Sequence, residues 1–423
     1  MVKVAFSKAV INDLWPMPPS WHGDRTYHDD VEARCMYFDG SDGKLLLISL
    51  DIIILSRKRD RILREEVAKR LNLSPEEVLV HCTHAHNNIP CPLIYLDKVA
   101  EQITKTTRPA MNTAQEAEMA FTYADVDGKF SVNRRKYVSD DLGVCTFWDG
   151  YRKEGNRADA AHLVEELKKA LLSPNPRNIY WLGSERIPIS GGLPKIEGLE
   201  PIWYDRPADP LVQLLVFRTE NGEPLGSLLR FSTHVQAATF PLNRDKNLSS
   251  AELGGGTADF PHYTRERLEE NLGGLAVYAT GPASNVVPLL EEWTWNETRR
   301  YGIALADAAL NEYNRVKPEF SPLTCLKVCS SEVDLPVHSD LPESVEEAKQ
   351  RAALIREELK GTVASGAPLR QVKRMADLIN HYEWAGVSWG GEEEVCRRKV
   401  SARITGVKLN LSLIHISEPT RPY

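Results

Sequence analysis

The sequence contains no long apolar stretch. Its longest apolar run, Lys44–Leu55, is interrupted by Asp51, whereas a helix needs about 20 apolar residues to cross a bilayer. The N-terminus has neither an apolar segment of signal-peptide length nor a cleavage site. These absences argue against a transmembrane helix, and we expect a soluble, cytoplasmic protein.

Cysteine and clustered positive charge are also scarce. Seven cysteines are scattered without tight spacing, and an odd, dispersed set argues against a disulfide framework. The net charge is −7 and the pI is near 5.9. The one basic run, Arg57–Arg61, opens a predicted helix and is interpreted as a solvated face. We therefore expect no nucleic-acid partner.

Two common enzyme signatures are missing. Gly254-Gly255-Gly256 lacks the lysine of a phosphate-binding loop, which excludes that mode of nucleotide binding. Ser284 does not lie in a Gly-x-Ser-x-Gly turn, so the sequence does not favour a Ser-His-Asp hydrolase.

A histidine pair follows a strand-like segment. Thr83-His84-Ala85-His86 comes directly after the apolar run Val78–Cys82. Residues two apart in an extended strand project to the same face, so both imidazoles can enter one pocket. Imidazole is the commonest protein ligand for zinc, and a catalytic site needs about three donors and an open position. Strand histidines that only satisfy local hydrogen bonds remain the alternative.

A carboxylate interrupts the longest apolar run. A charge in a buried strand is costly unless it is paired or bound to a metal, so Asp51 must have a partner. We expect the strands that end at Cys82 and Thr233 to be neighbours in one sheet, with Asp51 near their carboxyl ends. Asp51 would there orient a ligand histidine.

Six motifs in order resemble the N-terminal catalytic domain of the neutral/alkaline (non-lysosomal) ceramidase family. The resemblance covers about Val4 to Asn410. The motifs are the strand with Asp51, the His84-x-His86 pair, Asn133-Arg134, the strand that ends in His234, Asp259-Phe260-Pro261 and the turn Gly281-Pro282-Ala283-Ser284-Asn285.

The resemblance implies roles for five residues. His84 and His234 would bind a catalytic Zn²⁺, and His86 would line the site. Arg134 would contact the carbonyl or carboxylate of the substrate, and Ser284 would be essential for activity. The family's remaining zinc ligands, a glutamate and a tyrosine further along the chain, have no match here.

The implied reaction is zinc-dependent hydrolysis of an N-acyl amide, with a ceramide-like sphingolipid as the substrate. Asn87-Asn88, Val235 and the altered Ser284 turn depart from the family pattern beside the pocket. Two alternatives therefore stay open: a hydrolase of another amide or ester on the same fold, and a metal-free, non-enzymatic binding domain.

Three of the motif residues also have ordinary structural interpretations. Ser284 could cap a helix, and Asp259 stands just before Pro261, where a helix N-cap is expected. Arg134 could form a surface ion pair, although its fork suits a planar carboxyl or amide oxygen.

Alternating elements predict an α/β fold with mixed β-sheets packed against helices in a layered sandwich. A helical hairpin is expected as an insertion at about 341–382. Strands are expected near 33–38, 44–55, 78–83, 211–218, 225–233, 275–280 and 323–334, and helices near 57–71, 95–106, 113–121, 158–172, 261–272 and 297–315. Residues 186–209 form a long predicted loop.

The C-terminal residues 411–423 resemble the translation of a sequencing-library adapter. They do not continue the apolar pattern of the strand at 400–409. In the family, such a strand leads to a Pro-Gly-Glu turn with a zinc-binding glutamate. We therefore interpret 1–410 as one catalytic domain that is incomplete at its C-terminus. The chain would bind zinc weakly, with little or no activity. Family members are often exported, so secretion is the alternative to a cytoplasmic location.

Overall fold

The structure is a computed structural model. It describes residues 1–12, 14, 27–88, 91–126, 128–133, 135–139, 143–146, 150–151, 209–238, 256–291, 294–336, 342, 344–386, 399–410 and 412–417. The helix expected at 158–172 and nearly all of the loop expected at 186–209 lie outside these residues.

The described part of the chain contains seventeen strands and six α-helices. The strands are β1 (Lys3–Val10), β2 (Glu32–Gly40), β3 (Gly43–Leu50), β4 (Val78–Cys82), β5 (Gln115–Asp125), β6 (Ser131–Asn133), β7 (Arg135–Ser139), β8 (Gly143–Thr146), β9 (Gly150–Tyr151), β10 (Leu211–Thr219), β11 (Pro224–Phe231), β12 (Leu275–Thr280), β13 (Val286–Leu290), β14 (Ser321–Pro322), β15 (Leu326–Pro336), β16 (Lys399–Leu409) and β17 (Ser412–Ser417). The helices are α1 (Arg57–Leu71), α2 (Leu96–Asn112), α3 (Phe260–Leu272), α4 (Trp295–Val316), α5 (Val345–Ala364) and α6 (Leu369–Gly386).

A nine-stranded mixed sheet forms the centre of the fold. Its order is β12-β11-β10-β5-β1-β2-β3-β4, with β14 paired to β5. Only two register pairs, Lys3↔Glu116 and Val4↔Gln115, join β1 to β5. The sheet folds over at this junction, so that β12 faces β2, β3 and β4. Ser49 Oγ donates to the carbonyl of Tyr278 across the gap at 2.7 Å.

The folded sheet and the helices make four layers. Apolar side chains from both halves of the sheet, among them Phe38 and Phe217, fill the space between the halves. α1 and α2 cover the outer face of β1–β4, and α3 and α4 cover the outer face of β5, β10, β11 and β12. Two-sided burial explains why β3 and β4 read as nearly continuous apolar runs. The predicted α/β layered sandwich is confirmed.

Local sequence signals set the ends of α1. Ser56 is the N-cap, and its hydroxyl accepts from the backbone N–H of Arg59 at 3.4 Å. Lys69 and Arg70 occupy the last turn, and Asn72 ends the helix in the left-handed conformation. Capping residues, terminal charge and amphipathic spacing agree here, and the helix has the predicted bounds.

The helix predicted at 113–121 is wrong, because residues 115–121 belong to β5. Its register with β10 runs over nine positions, from Leu211↔Asp125 to Thr219↔Ala117. Ala, Glu and Met favour a helix only weakly, by tenths of a kcal/mol per residue. A complete ladder with a central strand outweighs that preference. β3 ends earlier than expected, at Leu50 and not at Leu55, and β1 was not among the expected strands.

The C-terminal part of the described chain contains a helical hairpin and a small sheet. The hairpin expected at 341–382 is present as α5 and α6, which pack against each other. β15, β16 and β17 form a three-stranded sheet. Within 411–423, Ser412–Ser417 form β17, which pairs antiparallel with Ile404–Leu409. The interpretation of 411–423 as an adapter-derived tail stays a prediction.

The six helices differ from membrane-spanning segments. Within the residues that the structure describes, none combines the length and the apolar character needed to cross a bilayer.

We expect His81 to make the stability of this fold depend on pH. The backbone N–H of Thr280 in β12 donates to its Nε2 at 2.9 Å, and burial lowers the pKa of His81 to about 4. Between pH 6.5 and pH 4 the unfolded chain therefore takes up a proton that the folded chain does not. Relative to His81→Gln, wild-type stability should fall over this window by up to about 3 kcal/mol. Urea unfolding at several pH values measures the difference, and parallel stability curves would contradict the expectation.

Candidate metal centre

His84 lies in the bend that follows β4, against the segment where β3 ends. Its backbone N–H donates to the carbonyl of Ile52 at 3.1 Å, and its φ of 69° is unusual for a residue with a side chain. Its Nδ1 lies 2.7 Å from the carbonyl oxygen of Ile53. Because that oxygen can only accept, Nδ1 carries the proton and Nε2 keeps its lone pair.

A short parallel bridge joins the two histidine segments. Ala85 pairs with Val235, and the backbone N–H of His86 donates to the carbonyl of Val235 at 3.0 Å. The sequence predicted that the strands before the two histidine segments would be neighbours in the sheet. This is wrong, because β4 pairs with β3, and β11 pairs with β10 and β12. The folded sheet instead brings the residues beyond their carboxyl ends together.

His234 is fully buried and is held by the turn before β13. Its backbone N–H donates to the carbonyl of Val286 at 3.0 Å. Its Nδ1 lies 2.5 Å from the carbonyl oxygen of Ala283 and 2.9 Å from that of Val286. Two acceptors at Nδ1 give the same tautomer as in His84, with the lone pair on Nε2.

The three imidazoles converge. One ring nitrogen from each of His84, His86 and His234 lies within 4.8 Å of the other two, and the Nε2 atoms of His84 and His86 are 3.2 Å apart. Two nitrogens on a tetrahedral zinc, each bonded at about 2.0–2.1 Å, lie about 3.3 Å apart. The residues present therefore fit a zinc ion. The same spacing also suits a hydrogen bond from His86 to His84, which needs no metal.

Asp51 has the buried partner that its sequence context demanded. Its side chain and that of Arg265 are both 0% exposed, and Arg265 donates to both carboxylate oxygens, at 2.8 and 2.9 Å. The backbone N–H of Glu32 adds a third hydrogen bond at 3.0 Å. The carbonyl of Ile53 is an acceptor for His84 Nδ1, and the role of Asp51 in orienting a ligand histidine stays a prediction.

Asp259 is the N-cap of α3, as one interpretation of its motif predicted. Its carboxylate accepts from the backbone N–H of Phe260 at 2.6 Å, and also from those of Ala237 and Ala238 at 3.1 and 2.8 Å. Burial raises the pKa of Asp259 to about 6, and the three hydrogen bonds act in the opposite direction. The side chain thus ties the His234 loop to α3.

Asn87 and Asn88 are buried connections between loops, a role that the sequence did not reveal. Asn87 Nδ2 donates to the carbonyl of Ala238 at 3.1 Å. Asn88 Nδ2 donates to the carbonyls of Asp51 and Thr257 at 2.7 and 2.6 Å. The only available signal was their position directly after the histidine pair.

Ser284 is exposed in the turn beside His234. It follows Ala283, whose carbonyl holds the imidazole of His234. Residues 286–290 form β13, so the interpretation of Ser284 as a helix cap is wrong. Arg134 lies outside the described residues, and its role stays a prediction. Its neighbour Asn133 pairs with Val286 at the start of β13.

Comparisons with known proteins identify the fold. No family model matches the sequence, and no curated protein does either. The crystal structure of a neutral ceramidase from Pseudomonas aeruginosa matches with a TM-score of 0.54 and 15% identity, over 98% of this chain and 61% of that chain. A ceramidase complexed with C2 matches with a TM-score of 0.48 and 15% identity, over 80% of this chain and 48% of that one. The chain thus spans about three fifths of the length of the first structure and shares its fold, as the resemblance predicted.

We expect Gly281→Ala to disturb the turn that holds His234. A Cβ atom at Gly281 would overlap Ser232 Oγ and lie 2.7 Å from Nη2 of Arg230. The substitution should lower the free energy of unfolding by about 1–3 kcal/mol. Gly361→Ala in α5 is the matched control, because its Cβ meets nothing within 4 Å, and it should be stabilising by up to about 1 kcal/mol. Equal effects of the two substitutions in urea unfolding would contradict this interpretation.

Proposed function

We propose that this protein is a zinc-dependent hydrolase of an N-acyl amide, with a ceramide-like lipid as the candidate substrate. The observation that carries the proposal is the convergence of three imidazoles at the carboxyl ends of strands, in a fold shared with a neutral ceramidase. The whole ceramidase is longer than this chain, so both substrate and activity are proposals here.

His84, His86 and His234 would hold the metal. Three protein ligands and an open fourth position are typical of catalytic zinc sites, and zinc bound there would supply a Lewis acid and a water of lowered pKa. The carbonyl acceptors at Nδ1 of His84 and His234 fix both rings and direct each Nε2 lone pair towards the centre of the cluster. The resemblance assigned His86 to the lining of the site; its 3.2 Å spacing from His84 supports a ligand role.

Ser284 and Arg134 would act on the substrate. Ser284 is exposed one residue beyond the carbonyl that holds His234, which suits donation to the oxygen that gains charge during hydrolysis. Arg134 keeps its predicted role of holding a carbonyl or carboxylate oxygen through its planar fork.

A metal-free binding domain is the second candidate. The spacing that suits zinc also permits a hydrogen bond between His86 and His84, which would satisfy both rings without an ion. The buried Asn87 and Asn88, where the family pattern has Ser-Gly, belong to the same departures.

Zinc content separates the two candidates. The sequence-based expectation of weak binding counted two histidines, whereas three donors predict about one zinc per chain in the 423-residue protein. Mass spectrometry of the native protein and a chelator competition give content and affinity. His84→Ala, His86→Ala and His234→Ala should each weaken binding, and His415→Ala, in β17 of the small C-terminal sheet, should leave it unchanged. A wild-type protein without specific zinc would refute the metal site.

Ser284→Ala tests the catalytic assignment. We expect the turnover of an N-acyl amide to fall by about 10²–10³-fold, because one oxyanion donor is removed, while zinc content stays the same. Amides with long and short acyl chains, assayed beside matching esters, identify the substrate class. If only esters are hydrolysed, the amide assignment is wrong; if the Ser284 variant keeps full activity, the role of Ser284 is wrong.

A further inference from the structure

The start of α3 and the residues just before it contact the loops that carry the histidines. The loop after His234 is held by the carboxylate of Asp259, which accepts from the backbone N–H groups of Ala237 and Ala238. These two residues follow His234 by three and four positions, so the helix cap fixes the path of the chain directly beyond that ligand.

The loop around His84 is held through Arg265. Arg265 lies in the second turn of α3, and its guanidinium forms an ion pair with the carboxylate of Asp51. Both side chains are fully buried. Asp51 begins the segment whose next two carbonyls, those of Ile52 and Ile53, accept from the backbone N–H and the Nδ1 of His84. Arg265 thus acts on His84 through the backbone of residues 51–53.

The loop after His86 is held by Thr257, just before α3. Asn88, two residues beyond His86, donates to the carbonyls of Thr257 and Asp51. Its own carbonyl accepts from the N–H of Ile53 at 3.1 Å. Asn88 therefore links the start of α3 to the segment that holds His84.

Capping alone does not account for the conformation of Asp259. Ser56, Thr294 and Ser344 cap their helices with ordinary φ values of −68°, −140° and −147°. Asp259 has φ 62° and ψ −157°, a region that is essentially restricted to glycine. Such strain persists only where surrounding contacts over-determine it. Beyond its cap, the carboxylate of Asp259 accepts from the His234 loop, and its backbone N–H donates to Thr257 Oγ1 at 2.9 Å.

We propose that residues 257–265 are the positioning element of the three-histidine centre. Asp259 and Arg265 are positioning residues, since they act through the backbones of 235–238 and 51–53. This inference rests on the metal site proposed above. Its consequence is that changes in this segment alter metal affinity and geometry out of proportion to their effect on stability.

The far end of the same helix offers a matched control. Glu269 forms an ion pair with the buried Arg34 and accepts from the backbone N–H of Ala276 at 2.9 Å. It anchors α3 to β2 and β12. None of its described hydrogen bonds and ion pairs reaches residues 51–53, 84–88 or 234–238.

The experiment is a Co(II) titration of the full 423-residue chain. Dissociation constants come from competition with a chelator, the d–d absorption bands report coordination geometry, and urea unfolding of the metal-free proteins reports stability. Asp259→Asn places an amide N–H₂ against the backbone donors and should weaken Co(II) binding by about 10–100-fold, with altered bands. Glu269→Gln should lower stability and leave both the constant and the bands unchanged.

Asn88→Ala provides an independent test, because it leaves the helix and the buried charges in place. This variant should weaken Co(II) binding and change the d–d bands in the direction expected for Asp259→Asn. The test remains valid if Asp259→Asn fails to fold. Unchanged Co(II) constants in the variants that fold, or a loss in Glu269→Gln as large as theirs, would overturn the positioning role alone. A wild-type protein that binds no Co(II) would overturn the metal site, and this inference with it.

Discussion

The buried ion pair between Arg265 and Asp51 is the contact on which the arrangement of the centre depends. It joins α3, on one outer face of the sandwich, to the end of β3 in the opposite half of the sheet. Removing both charges from water costs several kcal/mol per ion. Two parallel N–H···O bonds and the N–H of Glu32 offset that cost. Loss of one partner would leave an uncompensated buried charge, which typically costs about 3–5 kcal/mol.

Parallel strand pairs explain why the candidate centre lies where it does. β3 pairs with β4 and β11 pairs with β12 in parallel, within a sheet that is otherwise antiparallel. Ligand sites gather at the carboxyl ends of parallel strands. The segments that follow β3, β4, β11 and β12 contain, in that order, Asp51–Ile53, His84, His234 and the turn Gly281–Asn285. The folded sheet brings these four segments to one side of the molecule.

Backbone strain occurs at the same place. Among the described residues, five that are not glycine have φ in the left-handed region. Asn72 and Lys317 end helices, where this conformation is common. His84 and Asp259 belong to the candidate metal centre and to the segment proposed to position it, and such residues cost about 1–3 kcal/mol each. The fold therefore gives up some stability to hold these side chains in position.

The sequence by itself determined the local features: the bounds of α1, the helical hairpin, most strands of the main sheet, and a histidine pair directly after one strand. Capping residues, periodicity and residue spacing act over a few positions, and they can be read without knowledge of the fold. Tertiary structure decided the rest. It made β5 a strand, gave Asp51 a partner 214 positions away, brought His234 to the pair, and made Asn88 a link between loops. The reason is that such partners are selected by how the sheet folds over and packs against α3, and no local pattern encodes that geometry.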